Sequence, residues 1–179
     1  DYVSQIVVSI ALGQILANKK TSPELCLEIV DFLTEELTNE DEEEQKYKNE
    51  TNQVNTFNRI IALSEIYPYS ESAKKCSDKI IDFVIKNFKY APGPGLNAIL
   101  KILPSLSDDA IVKSFDEIIK VIEQALGSKV VSSLGNTNSN ALKTLMAVCS
   151  SSALSKDGKT IERLWQDYPL FLTTLYFCP

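Results

Sequence analysis

Histidine is absent from the chain. Its absence removes the commonest general base of enzymes, the Ser-His and Cys-His nucleophile pairs, and the usual ligands of zinc and di-iron sites. Catalysis would then depend on carboxylates, and the clearest set, Glu28, Asp31 and Glu35, lies opposite the apolar stripe of a helix, where solvated charges are expected. The four cysteines show no C-x-x-C spacing. We therefore expect no enzyme activity, no metal and no cofactor.

An excess of positive charge and long apolar runs are also missing. The chain has 18 Lys and Arg against 24 Asp and Glu, a net charge of -6, so its overall field repels phosphate groups. Apolar runs such as Ile6-Val-Val8 fall far short of the roughly 18 residues that a membrane span needs. We expect neither a nucleic-acid partner nor a membrane span.

The cysteines leave two cellular compartments open. Helical spacing places Cys26, Cys76 and Cys149 each on an apolar face, as expected for reduced, buried cysteines in a cytoplasmic or nuclear protein. The alternative is a secreted protein with bridges Cys26 to Cys76 and Cys149 to Cys178. In that alternative Asn49, the acceptor in Asn-Glu-Thr, carries a glycan.

Three segments of the chain repeat one helical pattern. They begin at Leu27, Asp78 and Asp116. Each contains charged residues near its start, then paired aliphatic residues, and ends with a large apolar residue. Strand-like alternation is not seen, so we expect an all-α protein. The predicted helices lie near 2–18, 22–38, 51–67, 70–88, 95–104, 107–126, 139–155 and 159–177. In the first helix, the apolar residues at helical spacing are Val3, Ile6, Val7, Ile10, Leu12 and Ile15.

Two segments interrupt the predicted helices within a single domain that covers residues 1–179. The first is 39–50, which is rich in acidic residues, has almost nothing to bury and is expected to be a flexible loop. The second is the turn 91–95, where two prolines and two glycines are expected to break regular structure. This turn lacks the Lys-Ser/Thr that follows a phosphate-binding loop, so we expect a purely structural role.

The helices recur in pairs at a fixed period. Asn55, Asn97 and Asn140 each open the first helix of a pair, and they lie 42 and 43 residues apart. Two helices and two turns at this period resemble the HEAT and armadillo repeats, which run about 40 to 47 residues. The resemblance implies about eight helices in antiparallel pairs, stacked as a right-handed superhelix. A closed multi-helix bundle is the alternative fold.

Two surfaces are candidates for binding a partner. The second helices of the pairs would form one wall of the stack with a mostly acidic face, to which Glu28, Asp31, Glu35, Asp78, Asp82, Asp116 and Lys120 belong. The apolar C-terminal segment is the other, through Leu172, Leu175 and Tyr176, and it would serve self-association or the docking of another chain.

These surfaces predict a non-enzymatic scaffold. In this interpretation the chain is a helical-repeat segment of a larger protein, and it offers an extended surface to a protein or peptide partner. The alternative function is that of a secreted helical structural or assembly domain with two disulfides and an N-glycan.

Overall fold

The computed structural model describes residues 2–35, 45–67 and 70–127, together with residues 162 and 166. All regular elements in these ranges are helical and none is a strand, so the all-α prediction is confirmed for the described part of the chain. The predicted helix 139–155 lies outside the described residues. Of the predicted helix 159–177, only residues 162 and 166 are described, and both are helical.

Eight α-helices follow one another in the described ranges. They are α1 (Tyr2–Ala17), α2 (Pro23–Thr34), α3 (Gln45–Ser64), α4 (Glu71–Lys75), α5 (Ser77–Asn87), α6 (Pro92–Ile102), α7 (Asp108–Lys113) and α8 (Phe115–Gly127). Single 3₁₀ turns follow α5 at Phe88–Tyr90 and α6 at Leu103–Ser105. Serine side chains cap α2, α4 and α7, because Ser22, Ser70 and Ser107 each accept a hydrogen bond from the backbone N–H three residues later.

Two predicted helices are each divided into a short and a long helix. The segment 70–88 breaks at Cys76, with φ -95° and ψ 4°, and the segment 107–126 breaks at Ser114, with φ -105° and ψ 17°. The hydroxyl of Ser77 donates to the carbonyl oxygens of Ala73 and Lys74. Such bonds from a serine to the preceding turn bend a helix, and they account for the break at Cys76.

Two helices begin earlier than the sequence predicted. Helix α3 starts at Gln45, so residues 45–50 of the predicted acidic loop, Asn49 included, are helical, whereas residues 36–44 lie outside the described residues. The acidic residues that precede Gln45 in the sequence favour a helix start there, because negative charge stabilises a helix N-terminus. Helix α6 starts at Pro92, so most of the predicted turn 91–95 forms the first turn of α6. Proline is tolerated there because the backbone N–H that it lacks would have no partner within the helix.

The helices form two rows. In the first row α1 packs against α3 and α3 against α6; in the second row α2 packs against α4 and α5, and α5 against α7 and α8. The rows contact each other through α1 with α2, α3 with α5, and α6 with α8. One continuous apolar core lies between the rows, and its fully buried members include Leu16, Val30, Leu33, Ile60, Leu63, Ile80, Leu96 and Ile119.

A buried arginine joins the end of α2 to α3. Nη1 of Arg59 on α3 lies 3.2, 3.4 and 2.9 Å from the carbonyl oxygens of Phe32, Leu33 and Glu35. These carbonyls belong to the C-terminal end of α2, which carries partial negative charge and favours a cation. Burial lowers the pKa of Arg59, and the nearby charge of Glu35 acts in the opposite direction. No sequence pattern predicts this role for Arg59.

Glycine permits the close contact between α1 and α3. A Cβ placed on Gly13 would lie 3.1 Å from the Cα of Ala62 on α3, which is tighter than nearly all real contacts of this kind. Both residues are buried. The backbones of the two helices therefore approach each other at this point as closely as the absence of a side chain allows.

We expect Gly13→Ala to destabilise the protein. The gain in helix propensity, up to about 1 kcal/mol, is outweighed by overpacking against a buried backbone, which costs about 1 to 3 kcal/mol. Urea denaturation should show a lower midpoint for Gly13→Ala, because the nearest atom to the new Cβ is the backbone Cα of Ala62, which cannot move aside as a side chain could. As a control, Gln14→Ala on the exposed side of α1 should not lower the midpoint. A more stable Gly13→Ala protein would contradict the close contact.

We also expect Arg59→Met to lower the free energy of unfolding by about 2 to 4 kcal/mol, because one buried and two part-buried carbonyl oxygens lose a charged donor. Arg59→Lys should recover only part of this, since one ammonium group cannot reproduce the flat guanidinium in its pocket. Lys101→Met, which removes an exposed cation, should have a much smaller effect. Equal midpoints for Arg59→Met and Lys101→Met in urea would show that the buried contacts of Arg59 contribute nothing.

Candidate functional site

The predicted partner-binding residues that the structure describes lie in the second row of helices. Glu28 and Asp31 are on α2 and Glu35 directly follows it, Asp78 and Asp82 are on α5, and Asp116 and Lys120 are on α8. All are exposed except Asp116, which is half-buried. Leu172, Leu175 and Tyr176 lie outside the described residues. The seven described candidates thus lie on α2, α5 and α8, or directly after α2 in the case of Glu35.

Ion pairs run between neighbouring helices of this row. Lys79 on α5 donates a hydrogen bond to Oδ1 of Asp31 on α2. Lys113 on α7 in turn donates to Oδ1 of Asp78 on α5, at 3.1 Å. These hydrogen bonds raise the pKa of Lys79 and of Lys113 above the ordinary value of 10.5. Two of the predicted acidic residues are therefore paired with lysines, and the row is less uniformly acidic than the sequence analysis expected.

Acidic charge and exposed apolar side chains coincide on α2. The helix contains no basic residue, and Leu25, Glu28 and Phe32 follow one another at spacings of three and four, so they share one face. Leu25 and Phe32 are each more than two-fifths exposed. The guanidinium carbon of Arg59 lies 5.4 Å from the centre of the Phe32 ring, a cation–π contact. We call Leu25, Glu28, Phe32 and Glu35 the α2 face.

The interior of the described part offers little room for a ligand. A cavity of about 10 Å³ lies between α5, α6 and α8, and it is lined by aliphatic residues that include Ile80, Val84, Ile99 and Ile118. Small-molecule sites usually enclose about 300 to 1,000 Å³, so this cavity is a packing defect of roughly the size of one water molecule.

The two described cysteines are buried thiols. Cys26 and Cys76 are both free, so the bridge between them that the secreted alternative requires is not formed in the structure. Burial, with a contribution from Asp31, raises the pKa of Cys76 to about 11. Only the thiolate is a good nucleophile, and at neutral pH almost none is present. Cys76 is therefore a core residue, whereas Cys149 and Cys178 lie outside the described residues.

The part of the chain that the structure describes contains neither a candidate metal site nor a helix that could span a membrane. Its Cys, Asp and Glu side chains form no group of three that could hold a metal ion. Its helices are also too short or too polar to cross a membrane. What this part of the chain offers to another molecule is thus its outer surface.

The ion pairs predict a pH dependence of stability. Because the folded pKa of Lys79 and of Lys113 exceeds the unfolded value, their contribution is complete below pH 10.5 and is lost as the pH rises through the folded pKa. We expect the urea midpoint of the wild type to fall more between about pH 9 and about pH 11 than that of an Asp31→Asn, Asp78→Asn variant.

The control for this prediction removes the same amount of charge elsewhere in the row. An Asp109→Asn, Glu117→Gln variant should show the full decline of the wild type at high pH. If the first variant declined as steeply as the wild type, the two pairs would not form in solution. Added salt should reduce the difference between the variants, since exposed pairs are screened.

The chain was compared with known proteins at three levels. No protein-family model matches it, no curated protein is significantly similar to it, and no solved structure matches it. Any inference about its function therefore rests on the surfaces and contacts of the chain itself.

Proposed function

We propose that the chain is a helical-repeat scaffold, a segment of a larger protein, which binds a protein or peptide partner and catalyses no reaction. The observation that carries the proposal is the arrangement in two rows. Each pair of helices along the chain adds one member to the row of α1, α3 and α6, and one to the row of α2, α4–α5 and α7–α8. A stack of HEAT- or armadillo-like units grows in this way, with each unit packing on its neighbours.

Contacts between successive units support the stacked interpretation. If α1–α2, α3–α5 and α6–α8 are the units, three ion pairs cross unit boundaries: Asp31 with Lys79, Asp78 with Lys113, and Glu65 with Lys101. In all three the acid lies in the earlier unit and the lysine in the later one. The backbone N–H of Ser107 also donates to the hydroxyl of Ser77 across the second boundary, at 2.8 Å.

The second and third units share a further detail. Each ends with a serine-capped helix of five or six residues, a one-residue break at Cys76 or Ser114, and a longer helix. The same local geometry at the same place in two successive units supports their structural equivalence. It favours a repeat over a closed bundle, in which successive helices need not resemble one another.

The α2 face is the surface we propose for the partner. It presents the carboxylates of Glu28 and Glu35 beside the exposed side chains of Leu25 and Phe32. Asp31 is directed to Lys79 and so contributes less free charge. Aromatic residues are frequent anchors of interfaces. The guanidinium of Arg59 lies over the face of the Phe32 ring and so helps to orient it. These features fit a partner segment that combines basic and apolar residues.

We further propose a cytoplasmic or nuclear location. The support is that Cys26 and Cys76 are free thiols within the core. Reducing compartments maintain cysteines in this state, whereas secreted proteins usually oxidise them to disulfides.

The test is affinity capture from extracts of the source cells, with quantitative mass spectrometry of the bound proteins. We expect a set of proteins bound by the wild type to be lost with Phe32→Ala and with Glu28→Lys, because these changes remove the apolar anchor and reverse one charge. Higher salt should weaken the same interactions.

The matched control is Glu117→Lys, which makes the same charge reversal on α8 at the other end of the row. It should retain the set that Glu28→Lys loses, and circular dichroism should show that all variants are folded. If all proteins were retained by both α2 variants, or lost equally with Glu117→Lys, the α2 face would not be the binding surface.

A further inference from the structure

Helix α1 turns its larger apolar side chains outward. Val3, Val7, Val8, Ile10 and Ile15 are between 39 and 62% exposed, whereas the buried side of the helix holds Ser9, Gly13 and Leu16. At 100° per residue, the five exposed residues spread over roughly 160° of the helix circumference. Ala11 lies near the middle of this arc, which also contains the uncharged polar side chains of Ser4 and Gln14. We call these five residues the α1 face.

The close contact with α3 fixes this orientation. Gly13 brings the two backbones together at Ala62, and the backbone N–H of Tyr67 donates to the carbonyl oxygen of Leu16, at 2.8 Å. A rotation that buried the α1 face would place branched side chains where only glycine fits. The apolar face is therefore held toward the outside by the packing on the other side of the helix.

Charge is absent from this face. The sequence has no acidic or basic residue from Tyr2 to Asn18, although the chain as a whole carries a net charge of -6. A charged partner would find no counterion here and would lose hydration on contact. A surface that is itself apolar and uncharged is the matching partner, and a second copy of the chain supplies one.

We propose that two copies of the chain associate through their α1 faces. In a two-fold dimer the same patch contributes from both sides, so the aliphatic residues of one copy pack on those of the other. Like-charged molecules repel, and this face is where two copies of an acidic chain can touch without bringing carboxylates together. The contact lies on α1 and does not involve the α2 face, so it is independent of the proposed partner binding.

The size of the face sets the expected strength. A helix of 16 residues is about 24 Å long, and an arc of this width offers on the order of 400 Å² in each copy. Two copies would bury on the order of 800 Å², below the roughly 1,200 Å² of stable specific interfaces. We therefore infer a weak, reversible dimer that forms only at high protein concentration.

Sedimentation equilibrium of the full chain over a wide concentration range tests the proposal. The mean mass of the wild type should rise from 19.9 kDa toward twice that value as the concentration increases. Val8→Glu should raise the dissociation constant at least tenfold. Val112→Glu, on α7, is the matched control, because Val112 is 44% exposed and Val8 43%, and it should leave the dissociation constant unchanged.

Further variants separate the alternatives. If Val8→Glu loses its helical circular dichroism, Val8→Gln and Val7→Gln replace it. These two variants make the α1 face polar without adding charge, and they should also raise the dissociation constant. A Leu172→Glu, Leu175→Glu variant tests the C-terminal segment, and it should still form the dimer. Vesicles of neutral phosphatidylcholine, mixed with the wild type, test a lipid surface as the occupant.

Several outcomes would overturn the proposal. A wild type that stays at 19.9 kDa up to about 500 µM would do so, since the association of its copies would then be too weak to count as a specific dimer. Equal weakening by Val8→Glu and Val112→Glu, or loss of the dimer only in the C-terminal variant, would place the contact elsewhere. Vesicle binding that Val8→Glu abolishes, without dimerisation, would assign the face to lipid.

Discussion

The contact between Arg59 and the end of α2 is the interaction on which the first half of the structure depends. One guanidinium meets three carbonyl oxygens at the point where α2 loses its own hydrogen bonds. The same guanidinium makes a cation–π contact with the ring of Phe32. It thus joins the second helix to the third, neutralises a helix end inside the protein and orients an exposed aromatic residue. The lysine–carboxylate pairs between neighbouring helices are exposed by comparison, so they contribute orientation more than free energy.

Sequence patterns were sufficient for the elements that local chemistry determines. Serine caps at Ser22, Ser70 and Ser107 act on backbone donors three residues away, so a serine just before an apolar helical pattern indicates where a helix begins. The breaks at Cys76 and Ser114 escaped prediction because the apolar periodicity continues through both positions. The start of α6 was missed because Pro92 suits both a turn and the first turn of a helix.

Features that depend on contacts between helices were less accessible. Helix α1 is apolar around most of its circumference, so its periodicity could not show which side is buried. The decision rests on Gly13 and Ala62, two small residues about 50 positions apart. The lysine partners of Asp78 and Asp31 were not predicted, because they lie 35 and 48 residues away in the sequence. Arg59 was also missed, because its partners are carbonyl oxygens at the end of α2, and the sequence does not show that α2 lies beside it.

The unequal charge of the two rows has a consequence for the rates at which other molecules arrive. Helix α1 carries no charge, α6 carries only Lys101, and the described side chains of α3 include one charged group, the buried Arg59. The field of the described part therefore emerges mainly from the second row. A charged molecule would be steered to that side from a distance, and its association would slow as salt increases. A molecule that meets α1 would gain no such steering from that helix, because α1 carries no charge.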